Sequence, residues 1–142
     1  MYEFLQRIVD KNKNLTSKGK VASYIPALAK ANKSDLGICI KDMKSDMYVA
    51  GEYDRKFTIQ SISKTVSLIL ALMDNGEDFV FQKVGMEPTG DAFNSIYKLE
   101  VADVAKPLNP MINAGAIEVC SLIKGNSCEE KFERLLNLFK KI

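Results

Sequence analysis

The apolar run at residues 65–73 leaves the chain few ways to fold. From Ile62 the large side chains recur at Val66, Ile69, Leu70 and Met73, with Leu68 and Leu72 on a second face. That spacing predicts a helix apolar nearly all round, and such a helix belongs in the interior of its domain. Asn75-Gly76 follows, a pair suited to a left-handed C-terminal cap. Ahead of the run, Phe57-Thr58-Ile59-Gln60-Ser61 reads as a strand or turn that delivers Ser61 to the first turn of the helix.

Ser61 and Lys64 are three residues apart, so on a helix they share a face and their side chains can meet. A serine hydroxyl needs a base to take its proton, and the sequence contains no histidine. A Ser-His-Asp triad is therefore excluded, and lysine is the strongest base left. To act near neutral pH, Lys64 must titrate well below the usual value of about 10.4, which burial in a low-dielectric site can supply. The positive end of the helix works in the same direction, and its free N–H groups can receive an oxyanion. Four-residue patterns of this kind also arise by chance, and a serine opening a helix is often only an N-cap. A second occurrence, Ser121 with Lys124, falls near the end of an expected helix and is read as chance.

A chain of 142 residues can bury a core of its own. A net charge of +2 gives no electrostatic case for nucleic acid or an anionic membrane. Lys11, Lys13, Lys18 and Lys20 read as a solvated surface. The three cysteines, Cys39, Cys120 and Cys128, lack C-x-x-C spacing, which argues against a disulfide framework and a zinc site. With no signal peptide and no run of 18 apolar residues, the expected compartment is the cytoplasm.

Taken in order, Tyr2, Leu5, Ile8 and Val9 predict a short amphipathic helix, followed by a polar linker at residues 11–18. Pro26 suits the first turn of a brief helix over residues 26–31, leaving Tyr24 in extended backbone just before it. On the residues alone, Tyr24 reads as a half-buried packing residue. Residues 36–40 and 47–50 are β-prone runs around a polar turn, an antiparallel hairpin. A short helix is expected around residues 79–84, turn chemistry at residues 85–91, and irregular chain through Pro107-Leu108-Asn109-Pro110. A helix over residues 111–124 follows, with Gly125 as terminator. Asn113, Ala114, Gly115 and Ala116 make its start narrow, so another backbone or a ligand could come close. Ser127 and Glu130 form a capping-box pattern before a helix striped with Phe132, Leu135, Leu136 and Phe139. That helix has no stop signal before Ile142, so the chain is expected to finish in mid-architecture.

Four blocks, in this order, resemble the serine-dependent glutaminases: Gly19-Lys20-Val21-Ala22-Ser23-Tyr24-Ile25-Pro26-Ala27-Leu28-Ala29; residues 57–64; Val84-Gly85-Met86-Glu87-Pro88-Thr89-Gly90 with Phe93-Asn94-Ser95; and residues 106–117. The resemblance spans roughly residues 19–125. It implies an α+β, β-lactamase-like serine hydrolase fold, here incomplete: a β-hairpin plus a mainly helical region around a buried central helix. It also implies hydrolysis of L-glutamine to L-glutamate and ammonia without metal or organic cofactor. Matched by position, Ser61 would be the nucleophile and Lys64 its base, with Tyr24 assisting proton transfer to the leaving ammonia. Gln60 and Asn113 would hydrogen-bond the substrate, and the Ser61 N–H would form part of the oxyanion hole. Glu118 stands where the family usually has an apolar residue, and the family's members run to roughly twice this length. Residues 1–142 are therefore expected to be the N-terminal portion of a single domain of this family, inactive alone; a homo-oligomer is also expected. The alternative is a truncated, non-catalytic paralogue serving as an interaction or scaffold domain. A penicillin-recognising enzyme is a weaker third reading, because no other motif of that group is present.

Overall fold

The computed structural model of the chain describes residues 1–90 and 106–142; Asp91 and the Phe93-Asn94-Ser95 part of the third block lie outside them. The described residues form two compact units, Met1–Thr58 and Ile59–Ile142. The class is α+β: a two-stranded antiparallel hairpin in the first unit and a mainly helical second unit.

In the first unit, α1 (Tyr2–Asn12) carries Leu5 and Val9 one turn apart, which places both on one buried face. They pack with Ala50 of the sheet, and Leu36, Ile38 and Tyr48 close the edges of this small core. The antiparallel hairpin expected from the sequence forms: β1 (Gly37–Lys41) and β2 (Met47–Gly51) pair from Gly37 opposite Gly51 to Lys41 opposite Met47. Their turn is held by the Asp42 carboxylate, which accepts from the N–H groups of Lys44 at 2.8 Å and Asp46 at 3.0 Å. Just after β2, the Glu52 carboxylate accepts from Lys13 Nζ at 2.5 Å and from the Leu36 N–H at 2.9 Å. The Lys13 ammonium foremost, then the Leu36 N–H, holds its pKa down to about 2.

Two sequence expectations fail here for local reasons. The stretch at residues 11–18 is no linker: α1 runs on to Asn12 and a 3-10 helix covers Lys13–Lys18. Its polar side chains bond back to the helix carbonyls, Asn12 Nδ2 to Ile8 O at 2.7 Å and Thr16 Oγ1 to Lys13 O at 2.8 Å. The helix expected over residues 26–31 shrinks to one 3-10 turn, Leu28–Lys30, because none of its residues is buried and a short helix needs packing to persist.

The second unit holds α2 (Ser63–Asn75), α3 (Glu77–Lys83), α4 (Asn113–Leu122) and α5 (Cys128–Phe139). Leu70 and Ala71 of α2 meet Val80, Val84, Val119 and Ile123 in its core. Each large aliphatic side chain buried this way contributes about 1.5–3 kcal/mol. All-round burial of α2 is not what the structure shows. Val66, Ser67, Leu70 and Ala71 are buried, whereas Ile69 and Met73 are 40% and 70% exposed. The neighbours α3, α4 and α5 pack on one side of α2 and leave the rest uncovered.

The helix α4 is shorter than expected at both ends. Asn109 Oδ1 accepts from the N–H groups of Met111 at 3.0 Å and Ile112 at 3.2 Å, a turn that delays the helix to Asn113. At the far end Ile123 is extended, and the Lys124 N–H donates to the Asp74 carboxylate at 2.8 Å. The narrow start of α4 admits the chain's own backbone: a Cβ on Gly115 would lie 1.9 Å from the Asn109 carbonyl oxygen. The segment before α4 is itself clasped, with Gly85 N–H to Pro107 O at 2.7 Å and Glu87 N–H to Leu108 O at 2.9 Å. At α5 the capping pattern forms: Ser127 Oγ accepts from the Glu130 N–H at 3.2 Å, and the Glu130 carboxylate accepts from the Asn126 N–H at 2.7 Å. Among the described residues, no helix is long and apolar enough to cross a membrane.

Candidate active site

Lys64 sits in the first turn of α2, and its Nζ donates to Met111 O at 2.7 Å and to Asn113 Oδ1 at 2.8 Å. An amine of this kind offers hydrogens to both oxygens, so the Asn113 amide must turn its oxygen toward Lys64 and its NH2 away. Two N–H bonds of Lys64 are thereby fixed.

Ser61 precedes α2, in the 3-10 turn Gln60–Ile62, rather than within its first turn. It is exposed, as is Gln60 beside it. Gln60 has φ +47°, in the left-handed region. For a residue with a long side chain that conformation costs about 1–2 kcal/mol, so it persists only where other contacts hold it. Two further serines lie nearby, but their hydroxyl protons are committed. Ser63 Oγ donates to Gln60 O at 2.8 Å, and Ser67 Oγ donates to Ser63 O at 3.0 Å. Neither is placed to be the nucleophile while those bonds stand.

An open groove of about 410 Å³ runs between α2 and α4, lined by Ser63, Lys64, Ser67, Asn113, Ala116, Ile117 and Cys120. Residues 113, 116, 117 and 120 follow the spacing of one helix face, as do 63, 64 and 67. Helical periodicity therefore could have found Ser63, Ser67, Ile117 and Cys120, which the sequence reading passed over. The Met111 carbonyl carries no such signal, since every residue has one. Of the residues predicted for the site, the structure brings Lys64 and Asn113 into contact and puts Gln60 and Ser61 on the turn leading into α2. Tyr24 belongs to the first unit, where it lies in a bend and is 74% exposed rather than half-buried.

The sequence profile of the family Glutaminase matches residues 19–142. The chain belongs to the glutaminase family. A glutaminase of Fusobacterium nucleatum is 58% identical over 142 residues, all of this chain and 47% of that protein. One from Clostridioides difficile is 57% identical over 138 residues, 97% of this chain and 45% of that one. The chain thus spans about half the length of the curated glutaminases it matches. Among solved structures, a Bacillus glutaminase superposes with a TM-score of 0.84 at 38% identity, over 99% of this chain and 43% of the other. A Bacillus subtilis glutaminase in covalent complex with 5-oxo-L-norleucine, formed from 6-diazo-5-oxo-L-norleucine, superposes with a TM-score of 0.76 at 34% identity, over 99% and 41% of the two chains.

Proposed function

We propose that the full-length protein hydrolyses L-glutamine to L-glutamate and ammonia, and that this chain is the N-terminal portion of its single catalytic domain. The observation that carries the reading is the amine of Lys64, held by two oxygens one helical turn after an exposed serine and beside an open groove. Membership of the glutaminase family supports the same reaction.

In the proposed mechanism, neutral Lys64 takes the Ser61 hydroxyl proton as Oγ attacks the carbon of the side-chain amide. The negative charge on the amide oxygen is received by the Ser61 N–H as one arm of an oxyanion hole. The C–N bond then breaks, and the nitrogen takes the proton held by Lys64, passed on with the help of Tyr24, to leave as ammonia and return Lys64 to its neutral form. Water cleaves the glutamyl ester with Lys64 again as base, returning the proton to Ser61 and releasing glutamate. Asn113 turns its NH2 away from Lys64, which suits it to donate to substrate oxygens, and Gln60 is the second polar contact. The chemistry needs neither metal nor organic cofactor. Positioning supplies much of the rate in such a scheme, which is why the fragment by itself is expected to be inactive. We further propose a cytoplasmic homo-oligomer; the exposed apolar side chains of Ile69, Met73, Ile117 and Phe132 in the second unit support association.

Replacement of Ser61 by Ala in the full-length protein is expected to lower ammonia release from glutamine by about a thousandfold or more while leaving the circular dichroism spectrum unchanged. Activity retained in that variant would refute Ser61 as the nucleophile.

A further inference from the structure

We infer that Ser63 is a positioning residue for the reaction proposed above, on which this inference rests: its hydroxyl holds the strained turn that presents Ser61. Two non-glycine residues among those described have positive φ, Ser45 and Gln60. Ser45 lies in the hairpin turn, where the Asp42 carboxylate gathers the neighbouring N–H groups. Gln60 has no tight hairpin around it; its carbonyl oxygen instead accepts the Ser63 N–H and, at 2.8 Å, the Ser63 hydroxyl. The bond runs from residue 63 back to residue 60, so it closes a small ring with Ser61 inside. The N–H of Ser61 and the direction of its Cα–Cβ bond are fixed by that ring.

Ser63 is itself anchored on the other side. It is the first residue of α2, its carbonyl accepts the buried Ser67 hydroxyl at 3.0 Å, and it lines the groove next to Lys64. The Ser63 hydroxyl therefore links the turn carrying the nucleophile to the helix carrying the base. Ser63 does not need to touch the substrate for this. Loss of the hydroxyl bond leaves the Ser63 N–H to hold that carbonyl without it, so the turn at Gln60 loosens and the Ser61 oxygen shifts with it. A shift of about 1 Å at a reacting atom can cost up to about a hundredfold in rate.

The test compares Ser63→Thr with Ser63→Val in the full-length protein, two variants of matched shape that differ in the hydroxyl, with Ser63→Ala and Ser61→Ala beside them. Glutamine turnover is followed together with the rate of covalent labelling by 6-diazo-5-oxo-L-norleucine. The expected result is a kcat about tenfold lower in the Val and Ala variants than in wild type, with KM within about twofold and labelling slowed in proportion. The Thr variant should stay within about threefold of wild-type kcat. Equal kcat in Thr and Val, a change confined to KM, or wild-type kcat in Ala would overturn the role of the Ser63 hydroxyl. Should Ala not fold, the Thr and Val pair decides alone. Turnover and labelling that survive in Ser61→Ala would overturn Ser61 as the nucleophile, and a wild-type protein that releases no ammonia from glutamine would overturn the glutaminase reading itself, whereas a dead Ser61→Ala beside an unaffected Ser63→Val sinks this inference only.

Discussion

Glu52 keeps its charge in unusually acidic water because Lys13 and the Leu36 N–H both bind the ionised form. Its folded pKa, about 2, is depressed from an ordinary value of 4.5. The stability it contributes is thus complete above about pH 4.5 and drains away as the pH falls toward 2. Replacing Glu52 by Gln should flatten that part of the acid-unfolding profile, as read by amide hydrogen exchange in residues 1–58; an unchanged slope would show that another group controls it. Such couplings depend on which side chains the fold brings together, and nothing in the order of residues joins position 13 to position 52. The residues of the candidate site were more legible. Ser61 and Lys64 announced themselves by their spacing and by the lack of any histidine, and Asn113 by its place in a block that matched a family. The φ of Gln60 and the partner of Lys64 at Met111 were not legible, because backbone angles and carbonyls have no letter in a sequence.

Among the elements, the far end of α2 depends on a clamp that no periodicity reveals. Asp74 accepts two hydrogen bonds from Arg134 of α5, at 2.5 and 2.7 Å, and one from the Lys124 N–H just beyond α4. Arg134 also donates to the Lys124 carbonyl. The Arg134 guanidinium, ahead of the Lys124 N–H, pulls the Asp74 pKa below the usual carboxylate range. One carboxylate with a side chain only 7% exposed thus ties three helices together. Asp74→Asn is expected to destabilise the second unit by about 1–3 kcal/mol, a figure already reduced for the partial exposure of Arg134, as measured by urea unfolding. No change in the midpoint would mean that packing alone holds these helices. Helix existence was predicted well where the apolar period was strong, at α1, α2 and α5, and the hairpin followed from its β-prone runs and the polar turn between them. Helix ends were predicted poorly. The start of α4 is decided by the Asn109 side chain and the end of α1 by Asn12, local bonds that compete with the apolar pattern.

Over the whole chain, the largest departure from the sequence reading is the exposed side of α2. A helix with apolar residues on nearly every face was expected to be enclosed, and Met73 and Ile69 are instead open to water, as are Ile117 and Phe132 elsewhere in the second unit. The pattern correctly marked these side chains as ones that prefer cover; it could not say what provides the cover. The proposed homo-oligomer predicts a light-scattering mass for the full-length protein at least twice that of one chain, and a monomer at all concentrations tested would refute it.

Because one anchor of Lys64 is the Met111 backbone oxygen, it is insulated from mutation in a way that the Asn113 amide is not. Drift at position 111 can change the side chain freely and still leave that oxygen where it is, so that part of the lysine's tether is inherited with the path of the chain and not with any amino acid.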